Sequence, residues 1–138
     1  KAHENFRVSI EDILDFEKMY GVIPRNSLVI IYTGWSKHWS DAQKYRNNLI
    51  FPSITSDAAH LLLDRYIVGL GVDTLGPDIP THGFPVHKAL LNAGKYIIEN
   101  IANAEKMPPL GGWCIGLPLR IKDAAESPMR LIGLIPKL

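Results

Sequence analysis

Three short apolar runs alternate along this chain with segments that carry helix start and stop signals. The runs cover residues 28–33, 67–73 and 96–98 and are rich in Val and Ile. Uninterrupted runs of this kind are typical of parallel strands that are covered on both faces. Because such strands alternate here with helices, the sequence predicts an α/β domain.

Capping residues mark where the helices begin and end. Ser9, Thr55 or Ser56, and Pro85 are suitable first residues, and Gly21 and Gly94 are suitable stops. Gly69 and Gly71 predict that another group packs closely against the second strand. The signals together predict helices over 9–21, 55–66 and 85–94, closing strands over 113–121 and 129–135, and loops over 34–48 and 74–85.

Composition narrows the class of protein. A chain of 138 residues with 46% hydrophobic and 21% charged residues is expected to form one globular domain, which we assign to residues 1–138. The net charge of +1 argues against a nucleic-acid partner, and no apolar run approaches the ~20 residues of a membrane span. Cys114 is the single cysteine, so an internal disulfide is excluded. Without a leader sequence, the expected location is cytoplasmic.

Polar residues with metal-binding chemistry concentrate between residues 73 and 100. Asp73 and Thr74 follow an apolar strand, which is where open α/β sheets present functional groups. His87 and Glu99 are twelve positions apart, joined by a helix, the Gly94 turn and a strand, a path that can bring the two side chains together. Imidazole and carboxylate are suitable ligands for zinc or manganese. From the residues alone, His87 and Glu99 are therefore candidate ligands for a metal ion, and Asp73 is a candidate functional residue at the end of its strand.

The same residues also allow purely structural interpretations, without a metal site. His87 and Glu99 could form an ordinary surface pair, and Asp73 and Thr74 could cap a turn. Asp78 and His82 fall in the same stretch, and His82 is better explained as a loop histidine than as a ligand. The Trp35 and Trp39 segment could cover the core.

Several dispersed motifs resemble the cyclase-like metal-dependent hydrolases, the family of bacterial kynurenine formamidase and isatin hydrolase. Within that family, the anchors are "GVDT", "PVH" and the Glu of "IIEN". The resembling stretches occur in the family's order and correspond to its C-terminal portion: "FRVSIEDI", "LVIIYTGWSKHW", "FPSITSDAAHLLLDR", "GLGVDTLGPD", "FPVHKALLNAGKYIIENIANAEKMPP" and "GLPLRI…SPMRLIGLIP".

The resemblance implies a swivelling β/β/α fold and hydrolysis of an amide C–N bond by a metal-activated water. It implies zinc or manganese as the cofactor, with His87 and Glu99 matching two of the family's ligands. It also implies that Asp73 and Thr74 fall in the family's active-site loop. The implied substrate is a small aromatic amide such as N-formylkynurenine, and Trp35 is predicted to flank it. Opening of a cyclic amide or lactone, as in isatin hydrolase, is the alternative within the enzyme class.

One departure from the family pattern affects the expected activity. The motif H-x-G-T-H-x-D-x-P-x-H supplies the family's other ligands and an acid/base histidine, and it does not occur in these residues; "THGFPVH" at 81–87 only echoes it. Since the chain also begins without Met, we expect an N-terminal segment with its strands to be missing. No catalytic residue is then assigned within this chain, which is expected to be inactive alone.

Lost strands would bare apolar surface and favour a homo-oligomer. A non-catalytic module that kept the fold is the competing interpretation.

Overall fold

The computed structural model describes residues 2–136. The chain divides into two compact units, a larger one that ends at Glu105 and a smaller one that begins at Lys106. The helices are α1 (Ile10–Tyr20), α2 (Ala42–Arg46), α3 (Ser56–Asp64) and α4 (Pro85–Asn92). The strands are β1 (Arg7–Val8), β2 (Leu28–Ile31), β3 (Ser53–Ile54), β4 (Gly69–Val72), β5 (Tyr96–Ile98), β6 (Trp113–Pro118) and β7 (Met129–Leu134).

A parallel three-stranded sheet forms the centre of the larger unit, in the order β2-β4-β5. The connections to β4 and β5 run through α3 and α4, and the right-handed crossover rule places both helices on the same face of the sheet. There α3 packs against α4 and α1. Leu70 and Val72 of β4 are fully buried among the helices, with Val29, Ile31 and Ile97 packed beside them. The alternation of strands and helices predicted from the sequence is confirmed.

Gly69 and Gly71 of β4 allow close packing on the other face of this sheet. Gly69 pairs with Tyr96, and a Cβ at position 69 would meet the Tyr96 ring. A Cβ at Gly71 would meet the side chains of Ile101 and Ile30. The predicted close packing against β4 is therefore confirmed, because neighbouring side chains occupy the space that a larger residue would need.

The segments predicted as loops contain more structure than expected. Residues 34–48 hold a 3-10 turn at Trp35–His38 and the five-residue helix α2, and residues 74–85 hold a 3-10 turn at Pro80–His82. Asp41 caps α2 by accepting the Lys44 N–H. Helical elements this short do not repeat an apolar position often enough to show a period of 3.6 residues. The prediction of plain loops over these residues is therefore wrong.

The two shortest strands, β1 and β3, pair in parallel and have no counterpart in the predictions. The smaller unit contains the antiparallel hairpin of β6 and β7, as predicted, with Trp113 opposite Leu134 and Pro118 opposite Met129. Among residues 2–136, no helix is both long enough and apolar enough to cross a bilayer.

A partly buried ion pair connects the end of α1 to the end of α3. Both carboxylate oxygens of Glu17 accept hydrogen bonds from Arg65, at 2.7 and 2.8 Å, and Oε1 also accepts the Ile23 N–H at 3.1 Å. The Glu17 side chain is only 6% exposed. The Arg65 guanidinium holds the pKa of Glu17 below its ordinary value.

We expect Glu17→Gln to lower the free energy of unfolding by about 2 kcal/mol at neutral pH, because it removes the charge of the buried carboxylate that accepts two hydrogen bonds from Arg65. A carboxyl group whose folded pKa is depressed stabilises above its unfolded pKa, about 4.3 for Glu, and this stabilisation disappears as the pH falls through the folded pKa. Urea unfolding at decreasing pH should therefore show the wild type and E17Q converging in acid. Asp15→Asn is the matched control, since the Asp15–Lys18 pair is largely exposed and should matter less. A gap between wild type and E17Q that stays constant with pH would contradict the assignment.

Candidate metal site

The polar residues of the site lie at the carboxyl ends of the parallel strands. Asp73 directly follows β4, Glu99 directly follows β5, and Thr33 comes two residues after β2. Parallel strands end at the same edge of their sheet, and this edge is where open α/β sheets bind ligands.

His87 and Glu99 meet at this edge. His87 lies in the first turn of α4, and its Nε2 is 3.2 Å from Oε1 of Glu99. The two side chains are 26% and 30% exposed, so solvent reaches both. The helix, turn and strand between them therefore bring the two groups to one point, as the spacing predicts.

Asp78 supports His87 from the other side of the ring. Its Oδ2 accepts hydrogen bonds from the His87 Nδ1–H and N–H, both at 2.9 Å, and its Oδ1 accepts the Val86 N–H at 3.2 Å. The carboxylate thus caps α4 and fixes the proton of the imidazole on Nδ1, which directs Nε2 toward Glu99. Burial alone would raise the pKa of Asp78, but its bonds to His87 and Val86 hold that pKa below its ordinary value. No role for Asp78 is evident from the sequence, although it stands among the polar residues noted there.

The two carboxylates act together on the imidazole. Hydrogen bonds to Asp78 and to Glu99 raise the pKa of His87 to about 9. The surroundings of the ring therefore favour positive charge, which a proton or a divalent cation can supply.

Gly76 forms one wall of the site. A Cβ at this position would lie 2.8 Å from Glu99 Oε1 and 3.6 Å from His87 Cε1. Only glycine lets the loop backbone approach the pair this closely without moving the carboxylate. The Thr74 hydroxyl donates to the Gly76 carbonyl at 2.7 Å, which holds the loop in that position.

Asp73 is fully buried and binds the segment after β2. Its Oδ1 accepts the Thr33 N–H and the Thr33 hydroxyl, both at 2.8 Å, and its Oδ2 accepts the Ser36 N–H at 3.2 Å. Asp73 and Thr74 are thus both engaged in holding backbone, and a part for them in the active-site loop stays a prediction.

Tyr45 joins the ends of β4 and β5. Its hydroxyl lies 3.1 Å from the Asp73 carbonyl oxygen and 3.0 Å from Oδ1 of Asn100, the neighbour of Glu99. Burial, followed by the charges of Asp73 and Glu99, raises the pKa of Tyr45. The sequence shows Tyr45 in an aromatic segment, but it does not indicate that this tyrosine lies at the site.

The two tryptophans of this region have different surroundings. Trp35 is 5% exposed, packs in a small cluster with Tyr45 and Phe51, and donates its Nε1–H to the Tyr45 carbonyl at 2.9 Å. Trp39 is 58% exposed and lies edge-on to the Tyr45 ring. A substrate-flanking role for Trp35 stays a prediction, and the accessible indole of the segment belongs to Trp39.

The chemistry and spacing of the donors at His87 and Glu99 fit a divalent ion. Two ligands that bind one ion at about 2.1 Å lie about 3.0 Å apart at a right angle and about 3.4 Å apart at the tetrahedral angle. The 3.2 Å between Nε2 and Oε1 falls in this interval. A carboxylate on the far imidazole nitrogen is the usual support for a metal-binding histidine. Within residues 2–136, however, no group of three or more His, Cys, Asp or Glu side chains is placed to hold an ion.

Comparison with known proteins finds relatives among the isatin hydrolases. The chain is 30% identical to isatin hydrolase from Roseibium aggregatum, over 99% of its own length and 55% of that protein. A crystal structure of an isatin hydrolase bound to the product analogue thioisatinate matches with a TM-score of 0.91 at 30% identity, covering 97% of this chain and 55% of the other. A structure described as a potential metal-dependent hydrolase with cyclase activity matches with a TM-score of 0.73 at 28% identity, covering 92% and 57%.

These matches also show how much of the relatives this chain represents. The chain spans about half the length of the relatives it matches. Its mixed α/β fold is that of isatin hydrolase over the shared part, which confirms the predicted fold class. The family model "Putative cyclase" matches residues 1–79, more than half of the chain. The chain therefore belongs to the cyclase-like family of metal-dependent hydrolases.

Proposed function

We propose that this chain forms part of the active site of a metal-dependent hydrolase that cleaves the C–N bond of a small aromatic amide. The observation that carries the proposal is the convergence of His87 Nε2 and Glu99 Oε1 at the ligand-binding edge of the sheet. The metal-dependent hydrolases among its structural neighbours support a divalent metal, for which we propose zinc or manganese.

Each residue of the site has a distinct task in this proposal. His87 and Glu99 would hold the ion, which supplies an activated water when bound. Asp78 keeps the His87 proton on Nδ1 and leaves the Nε2 lone pair for the ion. Gly76 leaves room for the Glu99 carboxylate, and Tyr45 holds the adjacent Asn100.

An isatin-type cyclic amide is the substrate class that the relatives favour, because the similar structures include an isatin hydrolase bound to a product analogue. Hydrolysis of N-formylkynurenine uses the same kind of activated water and stays a second prediction. The exposed Trp39 indole offers a surface on which an aromatic ring could pack.

We expect His87→Ala and Glu99→Gln each to lower the affinity of the 138-residue chain for Zn²⁺ or Mn²⁺ at least about tenfold, because each removes one of two ligands. Isothermal titration with either metal measures this effect. His82→Ala is the matched control, since His82 is an exposed histidine in the 3-10 turn ahead of α4 and should leave the affinity unchanged. Equal affinity in the wild type, H87A and E99Q would contradict the site.

Activity is best tested in a chimera in which this chain replaces the matching part of the R. aggregatum isatin hydrolase. The chimera should hydrolyse isatin, and H87A or E99Q should abolish this activity while H82A keeps it. A folded, metal-loaded chimera that cleaves neither isatin nor N-formylkynurenine would favour the non-catalytic module. The chain alone is expected to be inactive, because catalytic ions are normally held by three protein ligands.

A further inference from the structure

Phe84 has a backbone conformation that its side chain disfavours. Its φ and ψ are 59° and 48°, which lie in the left-handed region. Most of the other non-glycine residues with positive φ between residues 2 and 136 are asparagine or aspartate, whose short polar side chains tolerate this conformation. Phe84 also precedes Pro85, and the residue before a proline is normally extended. The position is therefore strained for two separate reasons.

The ring of Phe84 lies against the imidazole of His87. The two ring centroids are 5.5 Å apart and the ring planes are inclined at 82°, which is an edge-to-face arrangement. Phe84 is 44% exposed, so burial of its ring explains the strained conformation only in part. Capping of α4 does not explain it either, because Asp78 accepts the Val86 and His87 N–H groups there. Strain that persists without such a local reason is typical of functional sites.

Tyr66 shows what an ordinary left-handed aromatic residue looks like in this fold. Its φ is 57°, it is 54% exposed, and the guanidinium of Arg25 lies 3.7 Å from its ring centroid. Tyr66 directly follows Arg65, the C-cap of α3, and helices commonly end in a left-handed residue at that position. The conformation of Tyr66 therefore has a local explanation, whereas Phe84 stands at the beginning of a helix.

The hydrogen bonds of His87 do not by themselves fix the plane of its ring. Asp78 holds Nδ1, and Glu99 meets Nε2. These two contacts define a line through the ring, and the torsion about the Cβ–Cγ bond of histidine has a broad energy well. A third contact is needed to fix the plane. Because both nitrogens are occupied by carboxylates, Phe84 contacts the imidazole at its face or its carbon edge and provides that third contact.

We propose that Phe84 is a positioning residue, which holds the His87 imidazole at the angle where Nε2 faces Glu99. The proposal deepens the proposed function, because it concerns the same site and rests on His87 as a ligand of the metal ion. The left-handed backbone brings the phenyl ring onto the imidazole, and an extended residue before Pro85 would direct its side chain elsewhere. A ligand whose rotamer is locked by packing binds an ion without first having to be ordered.

Histidine-selective ¹³Cε1 labelling and NMR relaxation of the metal-free 138-residue chain test the proposal, with the His87 signal identified by its absence in H87A. Phe84→Gly and Phe84→Asn keep the left-handed backbone, which both residues adopt readily, but remove the ring. We expect the order parameter of the His87 Cε1–H bond to fall in both variants and to keep its wild-type value in Phe84→Tyr. The affinity for Zn²⁺ or Mn²⁺, measured by titration calorimetry, should fall about two- to tenfold in F84G and F84N, the amount that an aromatic pair contributes.

Tyr66→Gly is the matched control, because it removes a left-handed aromatic residue that does not contact His87, and it should change neither the order of His87 nor the metal affinity. A His87 order parameter that is equal in the wild type, F84G and F84N would overturn the proposal. An equal loss of order at all five histidines would also overturn it, because that result indicates a loosened fold.

The order parameter separates this proposal from the proposed function, since it is measured without metal. If the wild type binds neither ion while F84G loses order at His87 alone, the proposed function fails and the positioning role stands. If F84G and F84N do not fold, Phe84→Leu takes their place, because it keeps an apolar side chain of similar size without the ring. The same loss of order at His87 is then expected, and an unchanged order parameter in F84L would reject the positioning role.

Discussion

Replacing Asp73 by Ala is expected to lower the free energy of unfolding by about 3–5 kcal/mol, among the largest effects of any single substitution in this chain. The carboxylate is fully buried and accepts three hydrogen bonds, two from Thr33 and one from Ser36. Alanine leaves those donors without an acceptor in a site that water does not readily enter, and each buried unsatisfied group costs about 1–3 kcal/mol. Urea or guanidinium unfolding followed by circular dichroism measures the loss.

Two further variants separate this effect from a general loss of charge. Asp73→Asn keeps the shape but replaces one acceptor oxygen by a donor, so it should destabilise by less than D73A. Asp57→Ala removes an exposed carboxylate from the first turn of α3 and should cost much less. If D73A were as stable as D57A, the bonds to Thr33 and Ser36 would not be holding the segment after β2.

Asp78→Asn is expected to lower the affinity for Zn²⁺ or Mn²⁺ by about 10- to 100-fold, although Asp78 is not itself one of the proposed ligands. The substitution removes the negative charge that holds the His87 Nδ1–H at 2.9 Å and that makes Nε2 a better electron donor. It also weakens the cap of α4, because an amide offers one acceptor oxygen where the carboxylate uses two.

The matched control for this loss is Asp41→Asn. Asp41 also caps a helix, accepting the Lys44 N–H at 3.1 Å, but it has no bond to His87. We expect D41N to keep the metal affinity of the wild type, while both variants lose some stability. Titration calorimetry together with thermal unfolding distinguishes the two effects. An unchanged affinity in D78N would show that Asp78 only caps α4.

Much of the larger unit could be predicted from its sequence because local signals and tertiary structure agree there. Ser9 forms a capping box with Asp12, Thr55 caps α3, and Pro85 opens α4. The apolar runs became β2, β4 and β5, but only β4 is buried throughout, whereas β2 is half-buried and Tyr96 of β5 is exposed. The predicted cover on both faces therefore holds for the central strand and not for its two neighbours. In contrast, β1 and β3 have two residues each, too few to display an alternating pattern.

The candidate site was predictable only in part. The meeting of His87 and Glu99 could be inferred from the sequence, since Pro85 and the Gly94 turn fix the path of the chain between them. The support from Asp78 could not, because the loop that carries it has no periodicity and contacts α4 only through the tertiary fold. The burial of Trp35 and the exposure of Trp39, four residues apart, likewise depend on packing against Tyr45.

Gly76 limits where further ligands to an ion held by His87 and Glu99 could lie. Backbone closes the site behind the Glu99 carboxylate, and Asp78 occupies the far nitrogen of the imidazole. If His87 and Glu99 held an ion, its further ligands would have to come from groups other than Gly76 and Asp78, such as water, substrate or other side chains. An engineer who wished to add a third ligand would have to build it at another position, because position 76 has no room for one.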